Sequence, residues 1–395
     1  MPMVSAIPDT WALWTRNGRE VDEKPTLTCR LKVLRQAQGL SQLDLANATG
    51  LTRQAIGSIE SGLYIPNTAV AISLARLLRC RVEDLFIADA VPVACALTMV
   101  GAAPRIGQRV SVAKIRGALL GFPLLGNRSV GETFESADGL IEGQGGSVRL
   151  LTSADELERT ALLLGCDPAF GILSGHVRRH DRGARLHCLF AASQRALDGL
   201  AAGEAHLAGS HLLDPATGDC NVTQAKVALA KTGGQVIAFA EWEQGLMVAR
   251  GNPLALRGVA DLAHRPLRFL NREPGSGSRV LLDSCLEKAG VPPEAIAGYG
   301  NWAASHLEAA RAVAAGTADA AIGLQAVAAT CDLDFVPLSA VRCDLVIPRD
   351  LLAHPAVTAV LEVLASRPFR DELAALPGYH VERTGDVIAD LAASA

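Results

Sequence analysis

Residues 41–66 read SQLDLANATGLTRQAIGSIESGLYIP. Ser41 and Thr52 stand where helices would begin, since a side-chain oxygen there accepts from an otherwise unpaired backbone N–H. Gly50 and Gly62 stand where helices would end, because glycine enters the left-handed region without penalty. Between these signals apolar residues recur at helical spacing: Leu43, Leu45 and Ala46, then Ala55, Ile56 and Ile59. The stretch predicts a helix from about Ser41 to Ala48, a turn through Gly50, and a second helix from Thr52 to about Ser61. The same periodicity extends outward through Leu31 and Leu34 on one side and Val70, Leu74, Leu77 and Leu78 on the other, with Gly39 as a further stop.

This is the spacing of a helix-turn-helix. The patterns S-Q-x-x-L-A, G-L-T-R-Q-A-I and I-E-S-G-x-x-x-P, within a stretch running from Arg30 to Phe86, resemble the DNA-binding domain of the Cro/C1 (XRE) repressor family. The resemblance implies a five-helix domain over residues 28–88 that binds a double-stranded DNA operator. The helix beginning at Thr52 is then expected in the major groove, with Thr52, Arg53, Gln54 and Ser58 as base-contacting positions and Gln42 on a phosphate. The side-chain chemistry suits these roles, since Arg pairs bidentately with guanine and Gln with adenine. Ser58 departs from family members that carry a longer polar side chain there. Glu60 reads as structural, because a carboxylate beside phosphates would repel them. Seven Lys/Arg against four Asp/Glu between Arg30 and Phe86 give a mild local cationic excess, which suits a domain that works in pairs. A homodimer is expected.

Outside this region the chain gives no sign of nucleic-acid binding. Its 395 residues carry a formal charge of −4 and are 49% hydrophobic, the profile of a folded multidomain protein. The uncharged run Ala90–Pro104 contains two prolines and is too short for a membrane span. Asp9 lies in an N-terminus without a basic-then-apolar leader, so a cytoplasmic location is expected. Nine cysteines occur singly with no CxxC pair, which fits reduced thiols better than a disulfide framework or a zinc site.

Past Phe86 the pattern changes. Arg109–Ile115 alternates polar and apolar residues, and 117–126, 138–142 and 147–151 read as further short strands. Turns are expected at Gly126-Asn127, Ala137–Gly139 and 143–146. A β-rich connector over 91–152 is therefore expected. From 155 to 385 short apolar runs alternate with helical ones, the pattern of an α/β fold with largely parallel sheets. There are enough elements for two lobes, and 241–253 and 333–348 read as crossings between them. Two crossings resemble the type II periplasmic-binding-protein-like fold used as a sensor domain by bacterial regulators. The fold class expected is thus multidomain: an all-α helix-turn-helix domain, a small β-rich connector and a two-lobed α/β periplasmic-binding-protein-like domain.

The sharpest local match is R-E-P-G-S-G-S-R at 272–279, which resembles the R-x-x-x-S-G-T segment of phosphate- and tungstate-type binding proteins, Ser278 replacing Thr. It could be a plain turn. Its position between a strand at Leu267–Leu270 and a helix from Ser278 favours an anion cradle, because glycines bring backbone close to a ligand and helix N-termini bind anions. Arg272, Gly275, Ser276, Gly277, Ser278 and Arg279 are the ligand candidates there. The rule that open α/β sheets bind ligands beyond the carboxyl ends of strands adds Asp167, Ser193 and Ser210. His176 and His180 have metal spacing, but Arg178 and Arg179 lie between them and a solvated helix face is the expectation, so no metal site is assigned.

HExxH, GxSxG and GxxxxGK[ST] are all absent, and adjacent Ser210 and His211 would face opposite ways on a strand. No catalytic residue and no cofactor are expected, and a non-enzymatic regulator is the reading. The effector implied by the resemblance is a small anion such as molybdate or tungstate, with a phosphorylated or carboxylated metabolite, or the molybdenum cofactor, as alternatives. The rival reading is a carrier or enzyme of molybdenum-cofactor metabolism with an accessory DNA-binding domain.

Overall fold

The computed structural model describes residues 27–88, 94–101, 103–124, 136–143, 145–213, 220–264 and 266–394. The turn expected at Gly126-Asn127 lies outside them. The chain divides into two units, Met1–Val93 and Ala94–Ala395.

The described residues of the first unit form five helices, Leu31–Ala37, Gln42–Thr49, Arg53–Glu60, Thr68–Leu77 and Val82–Leu85, with the strands Leu27–Cys29 and Phe86–Ala88 paired antiparallel. Ser41 and Asp44 form a reciprocal capping box, the Asp44 N–H donating to Ser41 Oγ (3.1 Å) and the Ser41 N–H to Asp44 Oδ2 (2.7 Å). Thr52 Oγ1 accepts from the Ala55 N–H at 3.1 Å. Gly50 closes the first helix of the motif at φ 70°, a conformation that strains other residues. Leu31, Leu45, Ile56, Ile59, Leu74, Leu78 and Leu85 form one buried core. Most of those positions are helix-periodic ones, so local signals and packing largely agree, although Leu43 and Leu77 are exposed.

In the second unit a six-stranded sheet runs in the order Ala94–Ala96, Ser147–Leu150, Gly139–Ile141, Arg109–Ile115, Ala118–Pro123, Thr98–Met99. It does not stand apart. Ile115, Leu120 and Phe122 share a hydrophobic cluster with Leu162, Leu164, Leu189 and Leu197 of the α/β region. Buried Asp138 fastens the two, bonding the Val112 N–H (2.9 Å) and Ser111 Oγ (3.2 Å) on one side and pairing with Arg185 and His187 on the other. Those partners hold its carboxyl down at about 2 against the cost of burial.

The α/β region is built on a ten-stranded sheet. Arg185–Phe190, Thr160–Gly165 and Leu207–Ser210 run parallel in one lobe; Ala320–Leu324, Phe269–Arg272 and Trp302–Ala303 run parallel in the other. Joining them are two strands of 15 residues each, Gly234–Val248 and Asp334–Pro348, paired antiparallel. At about 3.3 Å per residue each extends about 50 Å, enough to serve both lobes. The first crossing begins earlier than the expected 241–253, at Gly234, and the second falls within the expected 333–348. The structure carries each crossing as one strand, and the sheet is mixed rather than largely parallel. The pleat slips where Ala238/Ala240 and Gln244/Gly245 break register, so the period-2 signal is interrupted although the backbone stays extended. Among the described residues no helix is long and apolar enough to cross a membrane.

Candidate functional site

On the first unit, Arg53 and Gln54 are exposed at the start of the second motif helix, directly after its cap Thr52. With Gln42 and Ser58 they line one shallow depression. Gln42 is held from below, its Nε2 donating to Glu60 Oε2 at 2.8 Å. Glu60 in turn accepts from Arg35 Nε (2.5 Å) and Nη2 (3.2 Å), and the side chains of Arg35 and Glu60 are only 10% and 4% exposed. The carboxylate is therefore a structural anchor that sets the angle of Gln42.

In the second unit, the carboxyl ends of five strands converge between the lobes. Cys166 and Asp167 follow Thr160–Gly165; Ser193 follows Arg185–Phe190; Ser210 and His211 end Leu207–Ser210; Arg272 ends Phe269–Arg272; His306 follows Trp302–Ala303. All of these residues are buried. A chain of contacts links them. Tyr379 OH donates to Asp167 Oδ1 (2.6 Å), and the Tyr379 ring lies 5.8 Å from Trp242, itself 5.2 Å from His211. His211 Nδ1 lies 3.1 Å from Ser193 Oγ and 3.6 Å from Cys166 Sγ, and its ring is 6.4 Å from His306.

Arg272 is fully buried, with Nε donating to Ala303 O (3.1 Å) and Nη2 to Ala304 O (3.0 Å). Its Nη1 has no partner, and neither have Ser278 Oγ, Ser210 Oγ, Asp167 Oδ2, His211 Nε2, Trp242 Nε1 or either ring nitrogen of His306. Native interiors leave few buried polar atoms unpaired. So many in one region would be satisfied by a bound polar guest. Burial sets the charge state. It pushes Asp167 up to about 7, drives His211 down to about 3 and moves His306 well below its usual value, with the Arg272 charge adding to both histidine shifts. Arg272 is left as the cation of the cluster, and the structure shows it no ion-pair partner among the described residues.

The remaining ligand candidates divide. Ser276 caps the helix Gly277–Ala289, its Oγ accepting from the Arg279 N–H (3.3 Å) and donating to Glu273 O (2.8 Å). Gly275 adopts φ 83° at the rim, where it lines a cavity of about 490 Å³ with Gln194, Arg195, Asp198, Phe122 and Val100. Arg279 turns away: it stacks on the Tyr299 ring at 3.9 Å and pairs with Asp283 at 3.3 Å. Of the His176/His180 pair, His176 is buried with Nε2 2.6 Å from Glu372, while His180 stays exposed, as do Arg178 and Arg179, with its Nε2 2.8 Å from Glu362. Sequence reasoning did not bring Trp242, His306 and Tyr379 to this site. The strand-end rule applied to Trp302–Ala303 would have found His306, but that strand is only two residues long.

Gly277 faces His211 from the other lobe. A Cβ there would lie 2.3 Å from His211 Cδ2 and 2.5 Å from its carbonyl oxygen, far inside van der Waals contact. Gly277→Ala is expected to prop the lobes apart and weaken effector binding at least about tenfold, or about 1.4 kcal/mol. Calorimetric titration of the variant reads this directly; parental affinity would mean that closure does not bring these groups together.

The helix-turn-helix family profile matches residues 31–85, and the PBP superfamily domain profile matches 174–365. A helix-turn-helix-type transcriptional regulator of Methanothermobacter thermautotrophicus (strain Delta H) is 45% identical over 56 residues, 14% of this chain and 81% of that protein. YvgK of Bacillus subtilis (strain 168) is 34% identical over 227 residues, 58% of this chain and 73% of that one. The chain belongs to the XRE-type helix-turn-helix transcriptional regulators and carries a PBP superfamily domain. Solved structures similar to it include a phosphate ABC transporter substrate-binding protein of Clostridium perfringens, at 12% identity and a TM-score of 0.43 over 54% of this chain and 96% of that one. In this regulator the matched helix-turn-helix carries the exposed Arg53 and Gln54, and the PBP superfamily domain carries most of the buried cluster.

Proposed function

We propose that this regulator binds a small oxyanion, molybdate or tungstate among the candidates, between the two lobes, and that the ligand changes how a dimer of the chain holds its DNA operator. The observation that carries the reading is the buried guanidinium of Arg272, which has a free N–H direction and only main-chain carbonyls as partners. An uncompensated buried charge is costly, and a bound anion offsets that cost. Ser210 and Ser278 add hydroxyl donors. The first-turn N–H groups of the helix Gly277–Ala289 have no helical carbonyl to bond. Such a set offers donors and positive potential and suits an oxyanion better than an amine. Isothermal titration with molybdate, tungstate, sulfate and phosphate tests it; tight binding of neutral or cationic compounds alone sinks the reading.

The rim cavity favours a second effector class. At about 490 Å³ it falls in the range of sites for organic ligands, so the body of a phosphorylated or carboxylated metabolite would lie against Phe122 and Val100. The same titrations with organic phosphates separate the two.

On this reading the protein is cytoplasmic and non-enzymatic, and its domains are the helix-turn-helix at 28–88, the β-rich part at 91–152 and the sensor at 155–385. Thr52, Arg53, Gln54 and Ser58 read bases and Gln42 fixes a phosphate. Arg53→Ala and Gln54→Ala are each expected to cost about 1–3 kcal/mol of discrimination, whereas Gln42→Ala weakens all sequences about equally. Footprints of the parent should show two half-sites about 34–36 Å apart. Variants at 53 and 54 that keep the parent's sequence preference would remove this helix from the groove.

A further inference from the structure

Cys166, His211 and His306 present one sulfur and two imidazole nitrogens that all lie within 4.8 Å of one another, and all three residues are buried. We propose that this triad binds a transition-metal ion of the Zn²⁺ class through Cys166 Sγ and one ring nitrogen of each histidine, and that the oxyanion held by Arg272 fills its fourth position.

The three residues come from three strand ends and from both lobes. A metal bound by them would therefore tie the lobes together, which a ligand on one lobe cannot do. Both ring nitrogens of His306 are buried without a hydrogen-bond partner, whereas His211 Nδ1 lies 3.1 Å from Ser193 Oγ, a contact that a metal on that nitrogen would replace. A buried imidazole with a free nitrogen needs a donor, a water or a metal. The spacing is right for the last. With metal–sulfur near about 2.3 Å and metal–nitrogen near about 2.0–2.1 Å, a tetrahedral angle places S and N about 3.6 Å apart. Cys166 Sγ and His211 Nδ1 are separated by 3.6 Å. One thiolate and two imidazoles form a borderline-soft donor set, suited to Zn²⁺ or Co²⁺ and unsuited to Mg²⁺ or Ca²⁺. Three protein ligands leave one position open, the arrangement of sites that receive an exogenous ligand.

Arg272 would by itself repel a cation. A divalent ion, the Cys166 thiolate, the Arg272 guanidinium and a dianion bridging metal and guanidinium together sum to zero charge. The fourth position rests on the oxyanion reading proposed above; the triad does not.

The test uses full-length protein, stripped of metal by a chelator under reducing conditions and titrated with Co²⁺. One equivalent per chain is expected, with a thiolate-to-cobalt band in the near ultraviolet, intense tetrahedral visible bands and displacement by Zn²⁺. Cys166→Ser should lose the thiolate band and bind Co²⁺ at least about tenfold more weakly. His306→Asn should weaken binding similarly and reduce the visible bands, and it carries the test if the Cys166 variant does not fold. Loss of exposed His264 in His264→Asn should change nothing. Molybdate added to the cobalt form should shift the visible bands in the parent and leave them in place in Arg272→Met. Absence of the thiolate band in the parent, or Co²⁺ binding unaltered in Cys166→Ser, overturns the triad. Molybdate binding to metal-free protein that shows no cobalt band leaves the oxyanion reading standing without a metal. Cobalt binding with no response to any anion does the reverse.

Discussion

Arg272→Met is expected to erase the stabilisation that the effector gives the parent. A ligand at 100 times its dissociation constant stabilises the folded chain by about 2.7 kcal/mol, and the variant should show almost none of it. The ligand-free variant should unfold no more easily than the parent, an outcome that separates a binding arginine from a structural one. In the parent, Arg272 is fully buried with Nη1 unpartnered. Replacing a buried charge by an apolar side chain of similar volume is often neutral or favourable, although the carbonyls of Ala303 and Ala304 lose a donor. Thermal unfolding with and without molybdate reads both numbers. A variant that loses several kcal/mol without ligand, or gains the parent's stabilisation with it, would show that Arg272 braces the loop at residues 303–304 instead.

Removing Arg35 should have the other large effect. Glu60 is 4% exposed and bonded to Arg35 and Gln42, so Arg35→Ala leaves a buried carboxylate without its cation. Breaking such a pair costs about 3–5 kcal/mol, a large share of what a domain of this size has to lose. Unfolding of the DNA-binding unit is expected well before that of the second unit, with loss of operator binding. The double variant Arg35→Met/Glu60→Leu should recover most of the stability. It should not recover full operator affinity, because Gln42 loses the carboxylate that orients it. The same pair sets a pH dependence. The Arg35 and Gln42 hydrogen bonds hold the Glu60 carboxyl below its usual range against the cost of burial. Its contribution is therefore complete above the unfolded pKa and is lost as pH falls through the folded one. A DNA-binding unit equally stable in Arg35→Ala and in the parent at neutral pH would place this pair among the indifferent ones.

The two functional regions differ in how far the sequence alone specified them. The helix-turn-helix was legible because each of its signals is local. Ser41 with Asp44, Gly50 and Thr52 lie within twelve residues, and the caps they form depend on neighbours three positions away. Strand–helix alternation likewise exposed the α/β class, and R-E-P-G-S-G-S-R exposed Arg272, because a strand, a glycine turn and a helix start are again consecutive. What the sequence could not supply was the company those residues keep. Asp167 meets Tyr379 across 212 positions, and Cys166 meets His211 across 45. Each reads singly as a cap, a core thiol or a turn residue. Burial makes them chemical, and burial depends on two 15-residue strands pairing over their whole length in a register interrupted at Ala238/Ala240 and Gln244/Gly245. His176 and His180 show the converse. Their spacing was local and visible, but Glu372 and Glu362 reach them from helices 196 and 182 positions away, and tertiary packing buries His176 while leaving His180 on the expected solvated face. Local geometry fixes caps, turns and helix faces; which polar atoms lie beyond the reach of water, and so need a ligand, is decided only when distant strands close over them.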